Sequence, residues 1–164
     1  MNGAISLRRA LSVLNRRPQA VARVLGSADY PHLMGTVQFY QMSDGVLVAA
    51  EVTGLPQPMA QSHGVFGFHI HSGGACSGTA ADPFADALTH YNPEGVSHPY
   101  HAGDMPPLFG NHGAAFQVFF TDRFSVRDII HKTVIIHSGV DDFTSQPAGN
   151  AGKKIACGTI EAVI

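Results

Sequence analysis

From residue 19 onward the chain is written in short apolar runs separated by polar breaks, and only before that point does it carry helical spacing. Over residues 4–17 the apolar positions Ile5, Leu7, Leu11, Val13 and Leu14 interleave with Arg8, Arg9, Arg16 and Arg17, and Pro18 stops the pattern. That spacing predicts an amphipathic helix, expected to pack against the protein rather than to lie on a membrane. Residues 21–25, 35–41 and 46–52 follow as runs of strand length. Ser43-Asp44-Gly45 predicts a hairpin turn between two of them, and Gly54-Leu55-Pro56 ends the next run. Residues 65–71, 115–120, 133–137 and 155–163 read as further strands, while 123–130 fits either a strand or a short helical turn.

Between His71 and Ala114 the pattern lapses into a long stretch rich in Gly, Pro, His, Asp and Ala. Such a segment inside a compact domain is usually functional. Strands, then a histidine-rich loop, then strands again predict an antiparallel sandwich or barrel with a site built on its loops. The chain shows no internal repeat. Its 164 residues suffice for one core, divided here into an N-terminal extension over 1–18 and a β domain over 19–164.

The formal charge of -2 supplies no basic excess, which argues against nucleic acid as a partner. No run of eighteen apolar residues is present to span a membrane as a helix. The N-terminal apolar stretch is interrupted by charge and lacks a cleavage site. With the starting Met, this sets the expectation of a cytoplasmic protein, or a periplasmic or extracellular one if a leader has been removed. Charged residues are only 13% of the chain, which leaves room for a partner subunit, a homodimer being the form considered. Histidine changes the picture most: there are 10, as many as Lys and Arg together, dispersed rather than consecutive. A surplus of that kind points to metal.

His69 and His71 lie two apart in a predicted strand and therefore share a face. His90 stands in the long loop, followed by His98, His101 and Asp104 at three-residue intervals, and His137 ends a predicted strand. Two complete four-ligand sites need eight positions. Six histidines and one aspartate fill eight positions only if one histidine bridges two ions through both ring nitrogens. A nitrogen-only set suits copper, and a set of three nitrogens and one oxygen suits zinc.

The segments Gly67-Phe68-His69-Ile70-His71-Ser72-Gly73-Gly74-Ala75-Cys76, His90-Tyr91-Asn92-Pro93, His101-Ala102-Gly103-Asp104, and Gly149-Asn150-Ala151-Gly152 through Ala156-Cys157-Gly158 resemble the signatures of copper/zinc superoxide dismutases. The resemblance runs from about residue 20 to 164, in the family's order. It implies an all-β, antiparallel Greek-key β sandwich or flattened barrel with long metal-binding loops. It implies copper held by His69, His71, His90 and His137, and zinc held by His90, His98, His101 and Asp104. His90 would bridge the two and carry a proton. Asp141 would tie His69 to His98 from outside the ligand set, and Cys76 and Cys157 would form a disulfide. The implied substrate is superoxide. The competing reading is a copper/zinc-binding homologue without turnover, and a zinc hydrolase ranks lower because Asp104 closes the zinc set.

Two departures stand out. Lys154 occupies the place where the family commonly has arginine, with Lys153 beside it. Lysine keeps the charge and loses the two-pronged fork. Strand alternation would let only one of the two reach the copper, and the family register selects Lys154 as the anion-guiding cation. The segment 141–149 is short and resembles the bacterial branch, as does His98-Pro99-Tyr100-His101. His32, His63, His112 and His131 fall outside the motif and are expected to be bystanders.

Overall fold

The computed structural model of the chain describes residues 5–57 and 64–164. An antiparallel meander comes first, formed by β1 (Ala20–Gly26), β2 (Met34–Met42) and β3 (Gly45–Thr53). The β2–β3 turn is the two-residue hairpin expected at Ser43-Asp44, with Met42 paired to Gly45. Further along come β4 (Val65–Phe66), β5 (Phe68–His71), β6 (Leu108–Phe109), β7 (Ala114–Thr121), β8 (Thr133–His137) and β9 (Lys154–Ala162). Seven strands form one antiparallel sheet in the order β5-β8-β9-β1-β2-β3-β7, while β4 and β6 pair separately. After the meander the chain returns through β9 to lie beside β1, the spatial order of a Greek key. The sheet curls as a half-barrel around a core that includes Val37, Phe39, Phe66, Phe68, Ile136 and Ile160. Burying a large apolar side chain of this kind contributes about 1.5–3 kcal/mol.

The expected single strand over 65–71 is two strands, broken at Gly67. Gly67 donates to the carbonyl of Gly139 and accepts from the N–H of His137. A Cβ at Gly67 would stand 2.7 Å from that of Ala151, so only glycine lets the chain pass there between the two sheets. The ambiguous stretch 123–130 contains a single helical turn, α2 (Val126–Ile129). The Asp128 carboxylate accepts from the Ser125 N–H at its start.

The N-terminal helix α1 (Leu7–Leu14) is shorter than its spacing predicted, with Ser6 accepting from the Arg9 N–H as its cap. It packs on the outer face of the sheet, placing Val13 against Tyr40, Met42, Leu47 and Ala49. That contact explains why β3 is buried on both faces from Val46 to Ala50 instead of alternating. Arg9 pins the helix to the β2–β3 turn through Asp44, 2.8 Å away. Among the described residues no helix is long and apolar enough to cross a membrane.

Candidate metal centre

Three of the site histidines are placed by strands. His69 and His71 project from β5 and His137 ends β8, its antiparallel neighbour. β5 is an edge strand of the main sheet, so its free edge needs covering. The histidine-rich loop covers it: Tyr91 donates to the carbonyl of Ile70, Ile70 donates to that of Gly103, and Gly103 donates to that of Tyr91. Backbone pairing thus sets His90 opposite His71, and Asp104 opposite His69. Gly103 is required in this lacing because a Cβ there would collide with the Ile70 carbonyl oxygen.

The result is two sets of four side chains: His69, His71, His90 and His137, and His90, His98, His101 and Asp104. Within each set the potential ligand atoms lie within 4.8 Å of one another, and His90 belongs to both. The six histidines are between 0 and 6% exposed, and the Asp104 side chain is 5% exposed. So many polar rings in so little water need partners.

Most rings have one nitrogen tied down. Nε2 of His69 and Nε2 of His98 donate to the two oxygens of Asp141, at 2.7 and 2.8 Å. Nδ1 of His71 donates to the Leu88 carbonyl at 2.9 Å, and Nδ1 of His137 to that of Gly152 at 3.2 Å. These bonds fix the tautomers and leave the opposite nitrogens as lone pairs. Nδ1 of His69 and Nε2 of His90 have no hydrogen-bond partner. Nε2 of His71 and Nε2 of His137 stand 3.3 Å apart, two lone pairs facing each other.

In the second set, Asp104 lies 2.8 Å from Nδ1 of His90, 3.0 Å from Nδ1 of His98 and 3.3 Å from Nδ1 of His101. Nδ1 of His98 approaches Asp104 without hydrogen-bond alignment. Ligands about 2.0–2.1 Å from a tetrahedral zinc stand roughly 3.3 Å from one another, which these separations match. Orphaned lone pairs converging on one point, and donor atoms spaced as tetrahedron edges, fit a copper and a zinc. His90 presents Nε2 to the first set and Nδ1 to the second.

Electrostatics prepare the rings for metal. Burial pushes the His71 and His137 imidazoliums down, to about 2 and about 3, aided by the neighbouring rings, so both are neutral at physiological pH. Burial also lowers His69, against the opposing hydrogen bond to Asp141. Burial alone would raise Asp141, but hydrogen bonds from His69, the Phe143 N–H and His98 bring it down to about 2. Asp104 likewise resists burial through the His90 hydrogen bond and stays ionised.

Three residues support the site in roles that the sequence did not reveal. Gly149, at φ 66°, lies so close to Asp141 that a Cβ would strike its carboxylate. Gln146 grips His98 at both ends of its peptide, accepting from its N–H at 3.0 Å and donating to its carbonyl at 2.8 Å. Arg123 reaches the loop carbonyls from the end of β7. None belongs to a ligand spacing; the glycine beside Asn150 was the one available signal.

A cavity of about 650 Å³ opens on the first set, lined by His71, His90, His137, Asp82, Lys153 and Lys154 among others. The sequence predicted one lysine facing the site and one facing away. Both line the cavity, because Lys153 precedes β9 and does not obey strand alternation. Lys154 is also not a lone cation: its ammonium lies 2.7 Å from Asp82 and donates to the Phe84 carbonyl at 2.9 Å. Cys76 and Cys157 are joined in a disulfide that holds the loop to β9 beside this wall. His32, His112 and His131 are exposed and belong to neither set, and His63 lies outside the described residues.

A family model described as copper/zinc superoxide dismutase matches residues 33–160. Superoxide dismutase (Cu-Zn) 2 of Aquifex aeolicus is 36% identical over 143 residues, covering 78% of this chain and 79% of that one. The Legionella pneumophila superoxide dismutase (Cu-Zn) is 33% identical over 139 residues, 80% of each chain. Superoxide dismutase (Cu-Zn) A of Xenopus laevis is 33% identical over 159 residues, covering 87% of this chain and 96% of that one.

Proposed function

The chain belongs to the copper/zinc superoxide dismutase family, and on that premise we propose that it converts superoxide to dioxygen and hydrogen peroxide at the paired histidine sets. His69, His71, His90 and His137 would hold copper, and His90, His98, His101 and Asp104 would hold zinc, with Asp141 outside both. The observation that carries this assignment is His90, whose two nitrogens face different ligand sets. Copper would supply the one-electron exchange when bound, and zinc, which has no accessible redox change, would supply a fixed positive charge beside His90.

The protein's own groups do the rest. Asp141 orients one ring of each set from a single carboxylate, so the sets cannot move independently. The Leu88 and Gly152 carbonyls hold His71 and His137 with their Nε2 lone pairs inward. His90 lines the cavity, and its Nε2, which has no hydrogen-bond partner, would take up and return a proton. Lys153 and Lys154 make the mouth attractive to a small anion, Lys154 with its charge partly compensated by Asp82. All these residues fall within 19–164, which supports treating 1–18 as an extension. A homodimer is the proposed assembly, supported by exposed Leu25, Met34 and Phe116 on the strands of the main sheet; sedimentation tests it.

The test of function is metal analysis paired with a dismutation assay on the same preparation. The expected result is one copper and one zinc per chain, with rapid dismutation. Full loading of both metals without turnover would favour the non-catalytic homologue.

A further inference from the structure

The proposed zinc-side ligands His98, His101 and Asp104 sit in a segment without regular secondary structure, whose internal bonds are turn contacts, so its place against the sheet depends on groups outside it. One side of it is laced to β5, and the 141–149 segment grips His98. Among the described residues, the side chain that holds the opposite side is Arg123. Nη1 of Arg123 lies 2.9 Å from the carbonyl oxygen of Pro99, 3.3 Å from that of His101 and 3.4 Å from that of Asp104. Two of those carbonyls belong to the proposed zinc ligands themselves, and the third to the neighbour of another.

Arg123 is well mounted for this task. It lies two residues beyond the end of β7, and its neighbour Phe124 is buried against Phe39 in the core, ring edge to face at 6.4 Å. A donor fixed to the core thus meets acceptors on a loop whose own bonds, such as the His101 N–H to Asp104, are local and do not tie it to the sheet. Charge-assisted bonds from a guanidinium to carbonyls are stronger than neutral ones.

We propose that Arg123 is a positioning residue for zinc: it holds the backbone of the 99–104 turn so that His98, His101 and Asp104 converge before the ion arrives. The proposal rests on the zinc assignment above but not on turnover. Loss of Arg123 is expected to weaken zinc binding about 10–100-fold, the usual effect of removing a partner outside the ligand set. Copper binding, whose strand-borne ligands Arg123 does not touch, should change little. Arg123→Lys should fall between parent and Arg123→Ala, because the ammonium keeps the charge and the donors but sits on a shorter side chain than the Nη1 that makes all three contacts.

The experiment measures zinc and copper affinity by chelator competition in the parent, Arg123→Ala and Arg123→Lys, together with the melting temperature of each protein metal-free and zinc-loaded. Arg123→Ala should melt near the parent when metal-free and lose most of the gain on zinc loading, the linkage signature of weaker binding by a folded protein. Unchanged zinc affinity would overturn the proposal. So would an equal fall in metal-free and zinc-loaded melting temperatures, since Arg123 would then serve folding in general. Should Arg123→Ala fail to fold, Arg123→Lys decides the matter by the same readings. A parent that binds zinc but does not dismutate superoxide would defeat the functional reading and leave this one standing.

Discussion

The two proposed ligand sets reach similar geometry by different means. His69, His71 and His137 stand on paired strands, where register and alternation place their side chains without further help. His98, His101 and Asp104 stand on a loop, where each position is bought by contacts from elsewhere: Asp141 and Gln146 on one side, β5 along the edge, Arg123 across the back. The strand-borne set is therefore expected to persist when single supports are removed, and the loop-borne set to fail. His90 joins the two, itself loop-borne but paired by backbone to His71.

The most severe way to break the comparison is at that join. His90→Ala removes a ligand from both sets and should reduce dismutation to background. Copper should remain bound more tightly than zinc, since three strand-placed histidines survive and the loop loses its central ligand. Metal content and rate on the same sample check this; preferential retention of zinc would reverse the ranking of the two sets.

A step down lies Asp141→Asn, which is expected to lower metal affinity about 10–100-fold, the range for such outer partners. Asparagine accepts through one oxygen only, so one of His69 and His98 loses its tether. If the comparison holds, zinc affinity falls more than copper affinity, because His98 lacks the strand that supports His69. Gly149→Ala should act in the same direction by pushing the carboxylate aside. Competition titrations with each metal measure both variants, and an equal fall for the two metals would erase the distinction.

The strand-borne set has its own weakness, which appears on acidification of the metal-free protein. His71 and His137 are held neutral down to about 2 and about 3, whereas unfolded histidine protonates near 6.5. Below about pH 6.5 the unfolded chain therefore binds protons that the folded one refuses, and stability falls as pH drops. Two such groups give a slope of about 3 kcal/mol per pH unit once both are protonated in the unfolded state. Denaturant midpoints of the metal-free protein between pH 7 and 5 measure this. A flat profile would mean that these rings find water or protons in the folded state.

The smallest effects are expected at the cavity mouth. Asp82→Asn releases Lys154 from its partner and should raise the dismutation rate at low ionic strength, by less than about tenfold given that steering by a whole charge distribution begins near that size. Lys153→Ala and Lys154→Ala should both lower the rate and its salt dependence, since both line the cavity. His32→Ala should change nothing. Rates against ionic strength with copper content verified decide these, and an unchanged rate in Asp82→Asn would show that the Lys154 charge does not reach the anion.

The same contrast governs what was legible beforehand. The spacing of His69 and His71 announces a shared face because a strand has period two. The strands of the meander announce themselves by apolar runs and the Ser43-Asp44 turn. The break at Gly67 did not, because it depends on Ala151 lying alongside, far away in sequence. Nor did the pairing of Lys154 with Asp82, two residues 72 apart.

By itself the sequence determined the chemistry available: dispersed histidines with one aspartate, seven candidate ligands for eight positions, which suggests sharing, and strand segments long enough to build a sheet; the pairing of the two cysteines was implied by the family resemblance. Local spacing and residue type settle those matters. Tertiary structure alone decided which nitrogen of each ring faces inward, that Lys153 and Lys154 open on one cavity, and that Gln146, Gly149 and Arg123 hold the loop. Those depend on groups distant in the chain meeting at fixed distances, and no local spacing encodes where a hydrogen bond across the fold will land.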